Sequence, residues 1–587
     1  MKAQIEKVLE KIIKDLYDLE VKISNLDTPP KKDMWDYAYG AFMLAKDLKK
    51  WPPQIATEMM NYIEDNDISA FESVSVAWPY LNIKVDKRFF IELFLEFASW
   101  DYLEVSNKKS GHVVVDYIGA NVWKPLHIGH MCTPSVGSVI IALNRKFWYD
   151  VIWDSHIGDW GIIFWKLIVA YKKYGDVVKL EENAVQHLFD LYVQISTDAE
   201  SDESLDDQFR STFKSLSDGD PDLVALWKSF TWNSIDAMTK QLNRLNVSPD
   251  YNIWESFYEW IWLPKLEDYP DLKWNMHEIV DELVEKWIAT KNEDNSIWVV
   301  FPDEAKLSSC ILQKRNGTHG YLASDLACIK YRQDSWNPEK IIYAVDVRQQ
   351  LHFQQCFYIA DKAGWINHDQ MTHAYNGFIA LKDWAMSTRK GKIIRLDKLL
   401  DEAEEKAKNI ILEKRNDISG EELNKLGKII WIGAIKYWYL KKTRESDVIF
   451  DWDEFMTFEG NSWPYIQYAY VRATRILEKA DKMITPNDID ITEMTNTHMS
   501  EEELEFVKLF WEYENMLIEA LDKNAPHLIA GYAYNLTKKF SSFYNAVSVI
   551  HEEDINKKNL RFLFVQIFMN LIEDSFGLLG IDLPDKM

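Results

Sequence analysis

Stretches in which apolar residues recur every three to four positions alternate along the chain with short stretches in which they are consecutive, and that alternation divides it into three parts. Up to about Asn107 the pattern predicts a small α+β unit. It has an opening amphipathic helix from Lys2 to Ile23, a second helix near Tyr39 to Lys49, and the alternating strand LNIKV at Leu81 to Val85. From His112 the pattern changes to a wholly apolar strand, HVVVDYI, then a loop containing Gly and His, a long helical segment into Arg145, and a second apolar piece, DVIWDSHIGDWG. Consecutive apolar residues suit a strand covered on both faces, so this region reads as strand–loop–helix–strand of a parallel α/β sheet. A mainly helical insertion follows over about 181–300, and its acidic stretch Glu181 to Lys291 carries no catalytic-looking cluster. GYLASDLACIKYR, KIIYAVDVRQQLHF and the helix through Cys356 to Ala363 supply a second half-sheet. After about Asp397 the pattern is helical to the end, with amphipathic segments such as IIWIGAIKYWYL and YIQYAYVRATRILEKA. The expected architecture is multidomain α/β: an N-terminal α+β domain over 1–107, a parallel-sheet core over 108–396 and an all-α helical bundle over 397–587.

Composition narrows the class. At 587 residues and 69.1 kDa the chain exceeds what one hydrophobic core supports. With 47% hydrophobic and 27% charged residues it is globular rather than disordered. No uninterrupted apolar stretch approaches the roughly 20 residues of a membrane span, and MKAQIEKVLEKIIKDL is a charged amphipathic helix rather than a signal peptide. A cytoplasmic chain with no membrane partner is expected. Cys132, Cys310, Cys328 and Cys356 are far apart and form no paired C-x-x-C spacing, which argues against a zinc site and a disulfide framework, so no metal site is expected. The net charge of −26 is awkward for a nucleic-acid partner and requires a local basic surface if there is one.

Chemistry concentrates in NVWKPLHIGHM, Asn121 to Met131, between the apolar strand and the helix, where ligands of open α/β sheets bind. His127 and His130 fall at the helix N-terminus, where free backbone N–H groups attract anions, and Gly129 allows close backbone approach by a flat base. A plain strand-to-helix turn with two surface histidines is the competing reading of H-x-G-H alone. About 260 residues on, past the second half-sheet, lies AMSTRKG, Ala385 to Gly391.

PLHIGH after such a strand, followed at this distance by AMSTRKG, resembles the paired HIGH and KMSKS signatures of class I aminoacyl-tRNA synthetases. VVVDYIGANVWKPLHIGH, SHIGDWG, GYLASDLACIKYR, DVRQQLHF, AMSTRKGK, RESDVIFDWDEF and FEGNSWPYIQYAYVR resemble the arginyl members of that class, and the likeness runs from DMWDYA to LLGIDLPDKM. In that family the loop reads MSTR, and Lys124 stands where its compensating lysine is found. The resemblance implies a split Rossmann-like catalytic core that activates L-arginine with ATP and Mg²⁺ and transfers it to the 2′-OH of the terminal adenosine of tRNA(Arg). It also implies a tRNA-contacting first domain, an anticodon-binding helical bundle and a monomer. It assigns His127, His130, Lys124, Arg389 and Lys390 to catalysis, and Gly129, His127, His130, His352, Met386, Ser387 and Thr388 to ATP. Arginine contacts fall on Asp116, Asn121, Tyr321, Asp325 and Gln349. A guanidinium offers five N–H donors in a planar fork, so two carboxylates with neutral acceptors suit it. The family usually has Glu where Asp116 stands, one methylene longer, and the competing readings are that Asp116 caps a strand end and Asp325 caps a helix starting at Leu326. Tyr465, Tyr468 and Tyr470 suit stacking on bases or, as an aromatic stripe at helical spacing, packing in the bundle. A catalytically decayed tRNA-binding homologue and another class I synthetase or nucleotidyltransferase are the alternative functions.

One inversion stands apart: 25 Trp against 21 Gly, where ordinary usage puts Gly alone near ~7%. Set against the family pattern, Trp35, Trp78, Trp123, Trp148, Trp165, Trp287, Trp384 and Trp463 fall where Gly or another small residue is expected, whereas Trp160 and Trp452 match it. The expectation is that many of these tryptophans are UGA codons that the source reads as glycine, the rival being a Trp-rich paralogue whose catalysis has decayed. Such positions are expected where a left-handed turn or a close backbone approach excludes a large side chain.

Overall fold

The computed structural model describes residues 1–24, 26–28, 35–121, 123–159, 162–217, 219–259, 269–381, 394–414, 417–451, 454, 460–480, 482–494 and 498–584. Helix α1 (Lys2–Tyr17) buries Ile5, Leu9, Ile12 and Ile13, one stripe of an amphipathic helix, and stops short of the expected Ile23 because Asp18 turns left-handed at φ 52°. The expected second helix near Tyr39 is instead strand β1 (Tyr37–Gly40), a 3₁₀ turn over Ala41–Met43 and a single turn of helix, α2 (Ala45–Leu48). Helix α3 (Pro52–Asp65) packs behind an antiparallel sheet in which β3 (Tyr80–Val85) lies between β1 and β2 (Phe71–Ala77), and α4 (Lys87–Ser99) closes the unit.

The central sheet contains β4 (His112–Asp116), β5 (Asp150–Ile157), β6 (Tyr251–Trp254), β10 (Lys340–Tyr343) and β11 (Met371–His373), in the order β11-β10-β4-β5-β6 and parallel throughout. Val113, Val114 and Val115 are fully buried, as a strand covered on both faces requires. Helix α5 (Gly129–Lys146) joins β4 to β5, and it comes so close that a Cβ at Gly137 would stand 2.2 Å from the Tyr117 ring. The chain leaves β4 towards β5 on one side and reaches β10 on the other. A topological switch point therefore lies beyond the carboxyl ends of β4 and β10.

Between the half-sheets run α6 (Ile162–Tyr174), α7 (Val177–Ser201), α8 (Ser204–Ser217) and α9 (Pro221–Arg244), of which α6 and the first residues of α7 precede the insertion expected from about 181. The expected insertion also contains β6, an edge strand of the main sheet, followed by α10 (Met276–Glu285) and a small antiparallel sheet of β7 (Thr290–Lys291), β8 (Ile297–Val299) and β9 (Cys310–Gln313). Helices α11 (Tyr321–Trp336) and α12 (Gln350–Lys362) flank β10. Strand β12 (Ile379–Leu381) pairs in parallel with β13 (Val448–Phe450), which lies beyond α13 (Leu396–Lys414) and α14 (Gly420–Leu440), so the stretch after Asp397 is not wholly helical. Helices Trp463–Leu477, Glu501–Lys508, Tyr513–Lys523, Pro526–Ala546 and Ile555–Leu578 form the terminal bundle. Among the described residues no helix is long and apolar enough to cross a membrane.

Six of the tryptophans at expected small-residue positions fall into two kinds. Trp78, Trp148 and Trp287 adopt φ of 56°, 71° and 61°, a left-handed backbone in which a Cβ is strained, and all three side chains are exposed, Trp287 by 94%. Trp123, Trp165 and Trp463 are buried among other aromatic rings. Trp384 lies outside the described residues.

Candidate active site

Downstream of β4 the chain turns into α5 through the histidine-bearing segment, and backbone hydrogen bonds hold that turn from two sides. Gly158, just past β5, donates to the Ala120 carbonyl at 3.1 Å, and a Cβ there would meet Asn121 Oδ1 at 3.0 Å. On the other side Ile128 donates to the Ile394 carbonyl at 3.1 Å and Leu396 to the Leu126 carbonyl at 2.8 Å. Ile379 Cγ2 stands 3.8 Å from where a Cβ of Gly129 would be. Met386, Ser387, Thr388, Arg389 and Lys390 lie outside the described residues, but the described chain on both sides of them, at Ile379 and at Ile394 to Leu396, abuts the histidine turn.

Both histidines are partly exposed at the start of α5, their ring centroids 4.0 Å apart. His127 Nδ1 accepts the Gly129 N–H at 3.1 Å, and His130 Nδ1 accepts the His127 N–H at 3.1 Å. Burial, then the Arg348 and Lys124 charges, push the His127 pKa down to about 4. Burial and the neighbouring His127 hold His130 well below its ordinary value. Both imidazoles are therefore neutral near pH 7, and with each Nδ1 accepting, the remaining proton sits on Nε2 as a donor. Lys124 lies 4.7 Å from the Trp123 ring centre. Arg348, which the sequence reading passed over in DVRQQ, is held by both oxygens of Asp346 at 2.8 Å.

A cleft of roughly 1090 Å³ opens beside this turn, lined by Lys124, Glu255, Tyr321, Ser324, His352 and Gln355 among others. Asp325 lies in the second turn of α11, not at a helix cap, since the helix already begins at Tyr321. One of its oxygens is 2.6 Å from His352 Nε2, and the other is 3.8 Å from His156 Nε2. Burial works against the charged carboxylate, yet the His352, His156 and Arg332 charges outweigh it and hold Asp325 below its ordinary pKa. Burial likewise works against a charged His352, but the Cys356 sulfur at 3.7 Å and the Asp325 carboxylate raise its pKa to about 11. The result is an imidazolium–carboxylate pair on α12 and α11.

Asp116 departs from expectation. Its carboxylate accepts from Arg332 Nη2 at 2.8 Å and, on the other oxygen, from the His156 N–H at 3.4 Å. Arg332, fully buried on α11, also donates through Nε to Asp154 at 2.8 Å. The guanidinium expected from a substrate is thus supplied by the chain itself. An aspartate, one methylene shorter than glutamate, meets this internal partner at the end of β4, so Asp116 is removed from direct contact with the cleft. Gln349 is exposed at the end of the 3₁₀ turn Val347–Gln349 and is not among the residues that line the cleft, while Asn121 stays with the histidine turn. Tyr321 lines the cleft and His352 bridges it to Asp325. Arg332 was legible only as one of two cations, with Lys330, in the segment ACIKYR, without its partners 178 and 216 residues away.

Comparison with known proteins bears on this geometry. A family model described as tRNA synthetases class I (R), catalytic domain, matches residues 98–452, one described as DALR anticodon binding domain matches 466–587, and one described as Arginyl tRNA synthetase N terminal domain matches 1–85. The chain is 35% identical over 586 residues to an arginine–tRNA ligase of Clostridium botulinum, covering 99% of each. To one of Clostridium perfringens it is 36% identical over 589 residues, covering 99% of this chain and 100% of the relative. In fold it is similar to the Thermus thermophilus arginyl-tRNA synthetase, with a TM-score of 0.75 at 21% identity and 100% of each chain covered. The Plasmodium falciparum arginyl-tRNA synthetase gives a TM-score of 0.74 at 22% identity, with 100% of this chain and 98% of that one covered.

Proposed function

The chain belongs to the class I arginyl-tRNA synthetases, and from that premise we propose how its residues divide the work of arginine–tRNA ligation. In the first step an arginine carboxylate oxygen bonds to the α-phosphorus of ATP and the bond to pyrophosphate breaks. In the second, the terminal ribose 2′-OH attacks the arginyl carbonyl and AMP leaves. No covalent enzyme intermediate is needed, so positioning and stabilisation of phosphate charge are the chain's task. His127 and His130 present Nε2–H donors to those oxygens, with Lys124 and Arg348 as nearby cations and Arg389 and Lys390 as the cations of the second signature. These donors suit phosphate. Asp346, the carboxylate among the charged neighbours of His127, is already held by Arg348. Mg²⁺ carried by the ATP phosphates would add positive charge to the same oxygens that these donors face.

Asp325 is the arginine-binding acid in this reading, with Tyr321 one helical turn before it and His352 as its ion-pair partner. An incoming guanidinium takes over the carboxylate from the imidazolium and releases His352 towards the nucleotide. The observation that carries the reading is the meeting of the histidine turn with both described flanks of residues 382–393, next to a cleft backed by an ion-paired carboxylate. On the helical bundle, Arg472 stands 4.6 Å from the ring centre of exposed Tyr468 and 4.4 Å from that of Tyr544, a π-faced and cationic surface suited to stacked bases. Tyr465 and Tyr470 bond instead to Ser541 and Glu573 across the bundle, so Tyr468 is the tyrosine assigned to tRNA. The boundary between core and bundle is placed after Phe450, because β13 pairs with β12 of the core. Four unpaired cysteines suit a reducing compartment, the cytoplasm, and the enzyme is taken as a monomer.

ATP–pyrophosphate exchange with each amino acid, with and without tRNA, tests the assignment. Arginine-specific exchange that requires tRNA is the expected result. Exchange with a different amino acid would favour another class I enzyme, and tRNA binding without any exchange would favour a decayed homologue.

A further inference from the structure

At the edge of the same cleft, away from the histidine turn, Glu259, His277 and His319 bring one ligand atom each to within 4.8 Å of one another. The three come from separate places in the chain: the turn after β6, the first turn of α10, and the residue two before α11. Glu259 Oε2 and His319 Nδ1 are 3.2 Å apart, close to the edge of a tetrahedron whose metal–ligand bonds are about 2.0–2.1 Å, which is about 3.3 Å. The His277 and His319 rings meet at 4.4 Å between centroids and 68° between planes. His319 is 3% exposed at its side chain, and its Nε2 is buried with no hydrogen-bond partner among the described residues. Coordination through Nδ1 would leave Nε2 carrying the ring proton, so the ligand set is Glu259 Oε2, His319 Nδ1 and a ring nitrogen of His277. His277 is exposed, so its side chain is at liberty to close the remaining distance.

We propose that Glu259, His277 and His319 form a divalent transition-metal site, suited to Zn²⁺, that ties α10 and the turn after β6 to the segment entering α11. Imidazole and carboxylate ligands favour Zn²⁺ or Co²⁺ over Mg²⁺. Three protein ligands leave a fourth position open towards the cleft, which His319 and Gly320 line. The site acts as a strut: it fixes the start of the helix that carries Tyr321 and Asp325. Cysteine spacing could not reveal it, since it contains no cysteine and its members are 18 and 42 residues apart in the sequence.

Chelator-treated full-length protein titrated with Co²⁺ tests the site without reference to ligation activity. The expected result is one Co²⁺ per chain with visible ligand-field bands, displaced by Zn²⁺, and a binding constant weakened roughly tenfold or more in His277→Ala and in Glu259→Gln. Zn²⁺ should also raise the melting temperature of the wild type but not of His277→Ala, a variant at an exposed position expected to fold normally. Absence of the bands, or bands and affinity unchanged in both variants, would overturn the proposal.

Discussion

Two aspartates at the carboxyl side of the sheet look interchangeable in the sequence, yet the regions around them are built for opposite ends. Asp116, with Asp154, encloses Arg332, a cation fixed on a buried helix and sealed from water; the side-chain exposures are 6%, 0% and 0%. Asp325 is answered by His352, a titratable side chain on a different helix, 28% exposed and lining the cleft. The first arrangement is a permanent joint between β4, β5 and α11. The second leaves a carboxylate whose counter-charge is replaceable. Removing one partner of a buried pair leaves a costly uncompensated charge, so a partner that is able to withdraw suits a carboxylate that is to exchange it for another cation.

The largest effect should come from breaking the interior joint. Arg332→Met leaves Asp116 and Asp154 facing each other unpaired and should cost about 3–5 kcal/mol, read as a lowered melting temperature and soluble yield. If it melts like the wild type, the two regions do not differ as described. Next, Asp325→Asn should lower stability less than breaking the interior joint, by the lost pair with His352, while its main effect is a roughly 10- to 100-fold rise in the KM for arginine in exchange, the loss of a charge-assisted hydrogen bond. Asp116→Asn should show the reverse, a lower melting temperature with the arginine KM far less changed.

A pH series sharpens the contrast further. His352 is raised from 6.5 to about 11 in the folded chain, so the stabilisation it brings is complete below pH 6.5, declines as pH rises, and is gone above about 11. Melting temperature should therefore fall more steeply between pH 7 and pH 10 in the wild type than in His352→Gln. Parallel profiles would deny that His352 is charged. The smallest effect lies outside both regions. Trp287→Gly and Trp78→Gly should each stabilise by about 1 kcal/mol by relieving a left-handed backbone, with exchange rates unchanged. Trp148→Gly should gain less, because its indole donates to Glu104 at 3.3 Å and Lys108 sits 3.8 Å over its ring. Glycine at these positions in the native polypeptide, seen by mass spectrometry, would account for the strain at its source.

Much of the fold was legible because it depends on local pattern. Val113 to Val115 declared a strand covered on both faces, and the histidine turn with the helix after it fell where expected. What escaped depends on distant partners. The stretch around Tyr39 has helical periodicity but is claimed by pairing with β3, and the four residues of β6 are too few to stand out within a helical insertion. The site divides in the same way. Residue types near a conspicuous motif were found, whereas the pairing of Asp116 with Arg332 spans 216 residues and leaves no mark on either neighbourhood.

In the proposed function Asp325, and not Asp116, receives the substrate guanidinium. Titrating arginine and its neutral urea isostere citrulline into the wild-type and Asp325→Asn enzymes, with tRNA present, measures this directly. The wild type should strongly prefer arginine, and the preference should collapse in Asp325→Asn; a preference that survives the substitution would rule out Asp325 as the partner of the guanidinium.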